Sequence, residues 1–464
     1  MEKYKRILWS IVLLMFLFAG CKKYLDVRSD SKLVIPQTLP DLQALLDTYT
    51  KINRTDASAA EVSSDDYFVK DADYNSVVIN QRRLYTWEKD NVFAEGSNDW
   101  ANAYDKIYIA NTVLDNLKEI TVPAGQQMDW NNVKGQALFL RANSLFQLAL
   151  TFSLAYDETT ADTDLGIPLR LTGDLDEKIS RATVRQSYTQ IVNDLKEAEA
   201  LLPAAPVHVF RSSKAAACGL LARVYLAMRK YEECLVYAGE CLKIKSTLLN
   251  YNTPNIPNPA TSFPFSATVL QYNNPEIIYA SSAGVPTILA NTRSKIVADL
   301  YASYLDGDLR KTIFFTTNTG TNAGTNSFKG SYEGNGNLFV GLATNEVYFM
   351  RAECFARKNM PVEAMNDVNA VLSKRWRTGA AYVNLAAANG KDALAIVLKE
   401  RRKELLMRTL RWMDIKRLNK EGANIVLQRL VNGVTYTLPP NDLRYALAIP
   451  ESIIAINKIP QNRR

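Results

Sequence analysis

The sequence predicts a mainly α-helical protein, a scaffold of paired antiparallel helices carrying one large, irregular, loop-rich face. Three observations predict it. Long segments repeat their apolar residues with the 3.6-residue period of a helix face. Two separate segments share one design of helix, short turn and second helix. Between them lies a long stretch rich in Asn, Thr, Ser, Pro, Gly and Tyr that regular helix cannot absorb.

At the N-terminus, Lys3, Lys5 and Arg6 precede an apolar run from Ile7 to Phe18. That run is shorter than the roughly 20 residues needed to span a bilayer. A basic start, a short apolar centre and small residues read as a secretory signal, removed on maturation. A plain signal needs no cysteine at its end. Phe18-Ala19-Gly20-Cys21 resembles the lipobox of bacterial lipoproteins, with Phe18 where leucine is usual. The resemblance implies cleavage before Cys21 and lipidation of Cys21, whose several acyl chains hold where a single chain is marginal. The expected organisation is a signal at 1–20, a lipid-anchored tether at 21–38 and a single domain at 39–464. Loss of 1–20 removes three basic and one acidic side chain, so the net charge falls from +7 to +5. So mild a balance carries no nucleic-acid signal. No later apolar run is long enough to span a membrane, which leaves the lipid anchor as the expected membrane contact.

"LPDLQALLDTY" predicts a first helix, and 61–93, rich in Asp, Tyr and Asn, reads as irregular. In "NDWANAYDKIYIANTVLDNL", Trp100, Tyr104, Ile107, Tyr108, Asn111 and Leu114 follow the helical period. "VKGQALFLRANSLFQLALTFSLAY" is apolar almost all round and predicts a buried helix. "QSYTQIVNDLKEAEALL" predicts another, stopped by Pro203. The two similar segments are "AAACGLLARVYLAMRKYEECLVYAGECL" and "NEVYFMRAECFARKNMPVEAMNDVNAVL". With Ala222 laid on Ala352, Tyr225 falls on Phe355, Cys234 on Ala364, Ala238 on Val368 and Cys241 on Val371. Small and aromatic residues thus recur where paired helices touch, a spacing that resembles the tetratricopeptide repeat. Two such units are too few to stand alone and must lean on the other helices. The helical repeats are placed at about 98–245 and 345–418, and the loop-rich insertion at about 250–344. Cys218, Cys234, Cys241 and Cys354 sit where small apolar residues pack, so buried free thiols are expected. A Cys218–Cys241 bridge across a helical hairpin stays open.

Catalytic signals are thin. His208 is the sole histidine, which rules out a multi-histidine metal site, and no HExxH or G-x-S-x-G occurs. "GTNAGTNSFKG" lacks the GK[ST] of a phosphate loop. "DETTADTD" clusters Asp157, Asp162 and Asp164 without calcium-loop order, and offers at most a weak calcium site. Asp65 and Asp66 are paired acids, as a glycosidase needs across a cleft, but large proteins supply such pairs freely. No nucleophile, base and orienter converge, so no enzyme and no cofactor are expected.

The most distinctive stretch is "ERRKELLMRTLRWMDIKRL", Glu400 to Leu418, in which Glu400 and Glu404 can pair with bases three or four residues away. It resembles the motif "ERRRELAFEGHRWFDLKR" of the SusD/RagB family, outer-membrane lipoproteins of Bacteroidetes-type bacteria. Arg408, Thr409 and Leu410 stand where the family has Glu-Gly-His. "CKKYLD", "YDKIYIANTVLDNL", "NNPEIIYA" and the closing "AIPESIIAINKIPQN" resemble further family segments, in the family's order. The resemblance implies tetratricopeptide-like helices as scaffold and a SusD-like loop face that captures nutrient, glycan more often than peptide. It also implies delivery to a partner TonB-dependent transporter barrel, SusC-like, at the outer membrane's exterior face, with no chemistry on the ligand. Sugars stack their C–H faces on aromatic rings while polar side chains take the hydroxyls. The candidate ligand residues are therefore Asp65, Tyr67, Tyr74 and Trp87 in the early loops and Tyr332 in the insertion. Phe68, Tyr85, Tyr272 and Phe339 are nearby stock. The alternative is a surface lipoprotein that binds peptides or proteins through its repeat groove.

Overall fold

Apolar periodicity becomes packing in a series of helices: α1 (Leu39–Leu46), α2 (Asp99–Glu119), α3 (Gln127–Phe152), α4 (Val184–Leu201), α5 (Lys214–Ala227), α6 (Tyr231–Ile244), α7 (Thr344–Arg357), α8 (Pro361–Ser373), α9 (Gly390–Glu404) and α10 (Arg411–Asn419). The computed structural model describes residues 36–122, 124–254, 257–265 and 274–464. The signal, Cys21 with the tether as far as residue 35, and Tyr272 lie outside the described residues. Leu39–Arg464 form one compact unit. From α2 to α8 each helix packs on the next, and α9 packs on α7. Caps fix where several begin. The Asn98 side chain accepts from Ala101 N, Thr183 and Gln186 form a reciprocal capping box, and Ser213 accepts from Ala216 N. The all-round apolar helix α3 is buried at most positions from Val133 onward, and α5 from Ala215 to Ala227.

The two similar segments, α5–α6 and α7–α8, close with one turn. Arg229 and Asn359, equivalent in the superposition, both turn left-handed with φ of 61° and 56°. Lys230 N donates to Tyr225 O, and Met360 N donates to Phe355 O. These are the same six-residue closure at a helix C-terminus. Cys218 and Cys241 remain free thiols, as do Cys234 and Cys354, and all four are buried. The Cys241 thiol donates instead to Ala215 O at 3.2 Å, over Gly219. Cys234 and Cys354 meet across the α6–α7 seam.

The charged stretch 400–418 differs from one solvated helix in two ways. It breaks between α9 and α10, where Met407 and Thr409 have φ of 57° and 58°. Its charges also point inward: Glu400, Arg401, Lys403, Glu404, Asp414, Lys416 and Arg417 are buried. Thr409 stands at the family's glycine and takes the left-handed conformation a glycine would take, although it is β-branched. Its N–H donates to Glu61 Oε2 at 2.7 Å, which holds the turn in place. Thr409→Gly is expected to raise the unfolding free energy by about 1 kcal/mol in urea titration, the relieved strain less the entropy glycine adds to the unfolded chain.

Among the described residues the insertion contributes short strands and two short α-helices, Ala298–Ala302 and Arg310–Phe314. Among the described residues every sheet is a two-stranded antiparallel pair. Tyr67–Phe68 pairs with Lys295–Ile296, Ser282–Ala283 with Leu338–Phe339, and Ile277–Tyr279 with Leu342–Ala343. These pairings lay the early loops and the insertion over the same end of the helices. A hairpin, Leu427–Val431 with Val434–Leu438, joins them from the C-terminal side. Its Asn432-Gly433 turn has φ of 50° and 76°, the twist that suits a two-residue hairpin.

Candidate ligand-binding face

Buried charge anchors the insertion to the scaffold. Arg375 reaches Glu276 at 2.6 Å and Glu404 at 2.7 Å, and Arg310 reaches Glu400 at 2.7 Å and Glu404 at 3.1 Å. Tyr332 is part of this interior, its hydroxyl donating to Glu276 Oε2 at 2.5 Å. At 4% exposure it is a strut and offers no ring face to a ligand, contrary to the sequence expectation.

The early aromatic residues are corrected in the same way. Tyr67 and Trp87 are 2% and 1% exposed. The Tyr67 hydroxyl donates to Val62 O at 2.7 Å and Trp87 Nε1 to Ser63 O at 3.0 Å. The cause is Arg429, delivered by the C-terminal hairpin. Its guanidinium lies 3.6 Å from the Tyr85 ring centre, 4.8 Å from Tyr67 and 5.2 Å from Trp87. A cation held among ring faces draws them inward. Tyr74 keeps a half-exposed ring, tilted against Tyr85 at 5.9 Å.

Asp65 and Asp66 are engaged by arginines. Arg411 grips Asp65 with two bonds, at 2.6 and 2.9 Å, and Arg402 takes Asp66 at 2.7 Å and Asp65 at 3.2 Å. Burial works against charge at Asp65, but Arg411 and Arg402 outweigh it and hold the carboxyl down to about 2. Both clefts here are open and charged. One of about 520 Å³ is lined by Asp65, Phe68, Lys70, Asp71 and the hairpin, with Tyr67 and Trp87 at its floor. Another of about 470 Å³ is lined by Asp299, Lys399, Arg402 and Lys403, and the two meet at Val297.

The acids of the 157–164 loop do not converge. Asp157 faces Lys420, Asp162 pairs with Arg185, and Asp164 accepts from the Thr160 hydroxyl. Among the described residues no group of three or more His, Cys, Asp or Glu side chains is placed to hold a metal ion.

Away from these clefts stands an aromatic pair that sequence reasoning missed, Tyr49 exposed and Phe210 half-buried. Tyr49, 46% exposed, lies parallel to Phe210 within 4°, ring centres 5.6 Å apart. Arg54 flanks both rings at 5.8 and 5.9 Å and points Nη1 toward Glu333 Oε2 at 3.5 Å. The geometry is locked from beneath. Buried Asn53 donates to Phe210 O, the Tyr279 hydroxyl and Ala280 O, between 2.9 and 3.1 Å. Arg211 grips Asp47 with two bonds, pinning the 203–213 loop to the end of α1. His208 packs on Phe210 at 4.9 Å and accepts from Phe210 N, a packing role. Glu333 comes from the insertion. Burial pushes its carboxyl up to about 7 although Arg54 opposes this. The assembled surface presents the Tyr49 ring and the Arg54 guanidinium, with the Glu333 carboxyl buried beneath them.

This fold and face define a class: a helical-repeat scaffold that presents a loop-built binding surface. Residues 23–226 match a family model described as starch-binding associating with outer membrane, and residues 300–448 match that of the SusD family. The chain belongs to the SusD/RagB family. Similar solved structures include a SusD superfamily protein from Bacteroides thetaiotaomicron (22% identity, 92% of this chain and 100% of that one, TM-score 0.73). A putative sugar binding protein from Bacteroides vulgatus is 21% identical over 92% of this chain and 99% of that one, TM-score 0.71. A SusD-like carbohydrate binding protein from the same species is 21% identical over 91% and 97%, TM-score 0.66. At these identities the likeness is one of fold. No curated protein matches the chain. Among the described residues no helix is long and apolar enough to cross a membrane.

Proposed function

We propose that this protein is a glycan-binding lipoprotein of the outer membrane. In this reading it is anchored through Cys21 and hands its ligand, unaltered, to a TonB-dependent transporter barrel. The observation that carries the binding role is the Tyr49–Phe210 pair with the Arg54 guanidinium beside it. The exposed ring suits the C–H face of a sugar, and the flanking guanidinium suits its hydroxyls. The family description and the sugar-binding relatives support the ligand class. The transporter partner and the outward orientation follow from the family resemblance alone.

Titration against a glycan panel tests the site. Tyr49→Ala is expected to weaken binding of the best glycan about tenfold, the loss of roughly 1.4 kcal/mol of stacking. Phe68→Ala, in the cleft beside Asp65, is expected to leave it unchanged. Full affinity in Tyr49→Ala rejects the platform, and a panel of peptides that binds where all glycans fail rejects the ligand class. Co-purification with an outer-membrane barrel, lost when Cys21→Ser releases the protein from the membrane, tests delivery.

A further inference from the structure

Arg401 lies deep in the seam of α7, α9 and α10, 1% exposed. Its Nε donates to Asp414 Oδ2 at 2.9 Å. Nη1 and Nη2 have no hydrogen-bond partner, and neither have Nε of Arg408 and Nε1 of Trp412, both buried. All of these atoms are donors. A buried polar group without a partner is costly, and native structures supply one from protein, water or an ion.

The surrounding charge decides which. Arg223 and Arg408 share Glu346, at 2.7 and 3.4 Å. Arg401 and Arg417 share Asp414, at 2.9 and 2.8 Å, and Arg417 also holds Glu353 at 2.6 Å. Four buried arginines thus face three buried carboxylates. Arg357 also touches Glu353 but brings Glu421 with it, so within this cluster the arginines outnumber the carboxylates by one, while Glu276 acts on Arg408 from outside it. Burial lowers the affinity of Arg408 for its proton even with Glu346 beside it, consistent with incomplete neutralisation. Water would accept from the Arg401 fork too, but it brings two further hydrogens that need acceptors and leaves the charge of the cluster unchanged. An anion accepts only, and cancels the surplus.

We propose that the free fork of Arg401 binds a small monovalent inorganic anion of chloride size. Bound there, the anion ties α9 to α10 beneath the strained turn at Met407 and Thr409. It stabilises the family-motif segment without touching the glycan platform.

Crystals grown in sodium bromide test this directly. An anomalous difference peak at the bromide edge is expected within about 3.5 Å of Arg401 Nη1 or Nη2. A map with no bromide there, or with water at that place, overturns the proposal. In solution, the melting temperature in sodium chloride is expected to exceed that in sodium gluconate at equal ionic strength by about 2 °C or more. Arg401→Met should abolish that difference; a difference that persists in it counts against the site. Should Arg401→Met not fold, the bromide map of the unaltered protein decides alone.

Discussion

Arg375→Met is expected to destabilise the fold by about 3–5 kcal/mol in chemical denaturation, the loss typical when one partner of a buried ion pair is removed. The substitution preserves the length of the side chain and removes its charge. Glu276 and Glu404, both at most 2% exposed, then lose the guanidinium that bonds them, and Leu249 O loses its donor at 2.6 Å. A surface control, Lys311→Met, frees an exposed Asp306 and is expected to cost under about 0.5 kcal/mol. The variant should also invert the response to acid. In the native protein, burial opposes charge at Glu404, but Arg375 and Arg310 outweigh it and hold the carboxyl below its usual value. That stability is present above the unfolded pKa and lost as pH falls through the folded one. Without Arg375, burial dominates and the folded pKa rises. The variant is then most stable below the unfolded value and weakens as pH rises. A stability difference between the two proteins that does not widen from pH 4 to 8 would refute this account.

The second large effect belongs to Lys416. Its ammonium is buried on α10 and donates to Leu150 O at 2.7 Å and Ser153 O at 2.6 Å, at the C-terminal end of α3. Burial brings its pKa down from 10.5 to about 7. Between those values the unfolded chain binds a proton that the folded chain does not, so stability rises with pH across that window. Below about 7 both states carry the charge and the slope vanishes. The carbonyls at the helix end favour the cation and return part of the cost. The expected gain from pH 7 to pH 10, relative to Lys416→Met, is on the order of a few kcal/mol. Parallel stability curves for the two proteins would show that the ammonium stays charged throughout.

The helical scaffold was legible because its signals are local. The 3.6 period placed α2, α3 and α4, and the superposed segments placed α5–α6 and α7–α8 down to equivalent turns at Arg229 and Asn359. Asn-Gly at 432–433, between two alternating runs, is a hairpin signal that the sequence reading passed over. The binding face was much less legible. Tyr67, Trp87 and Tyr332 lie in polar segments that look exposed, yet Arg429 and Glu276, hundreds or tens of residues away, bury them. Tyr49 reads as the end of the first helix, and its stacking partner Phe210 and flanking Glu333 arrive from distant loops. Composition gives the stock of rings, whereas tertiary pairing decides which are spent inside. The inward charges of 400–418 were hidden for the same reason, since their partners Arg310, Glu353 and Arg375 lie on other elements.

The early loops are fastened by residues near the other end of the chain. Arg402 and Arg411 hold Asp65 and Asp66, Thr409 N bonds Glu61, Arg429 fills the ring cage, and Asn432 N bonds Asp71. A chain that leaves the ribosome N-terminus first therefore releases these loops long before their fasteners. The loops lack their fastenings until the last seventh of the polypeptide, residues 402 to 464, supplies them. Any product cut short before residue 402 would carry unfastened early loops, prey to proteases rather than a weak competitor for ligand.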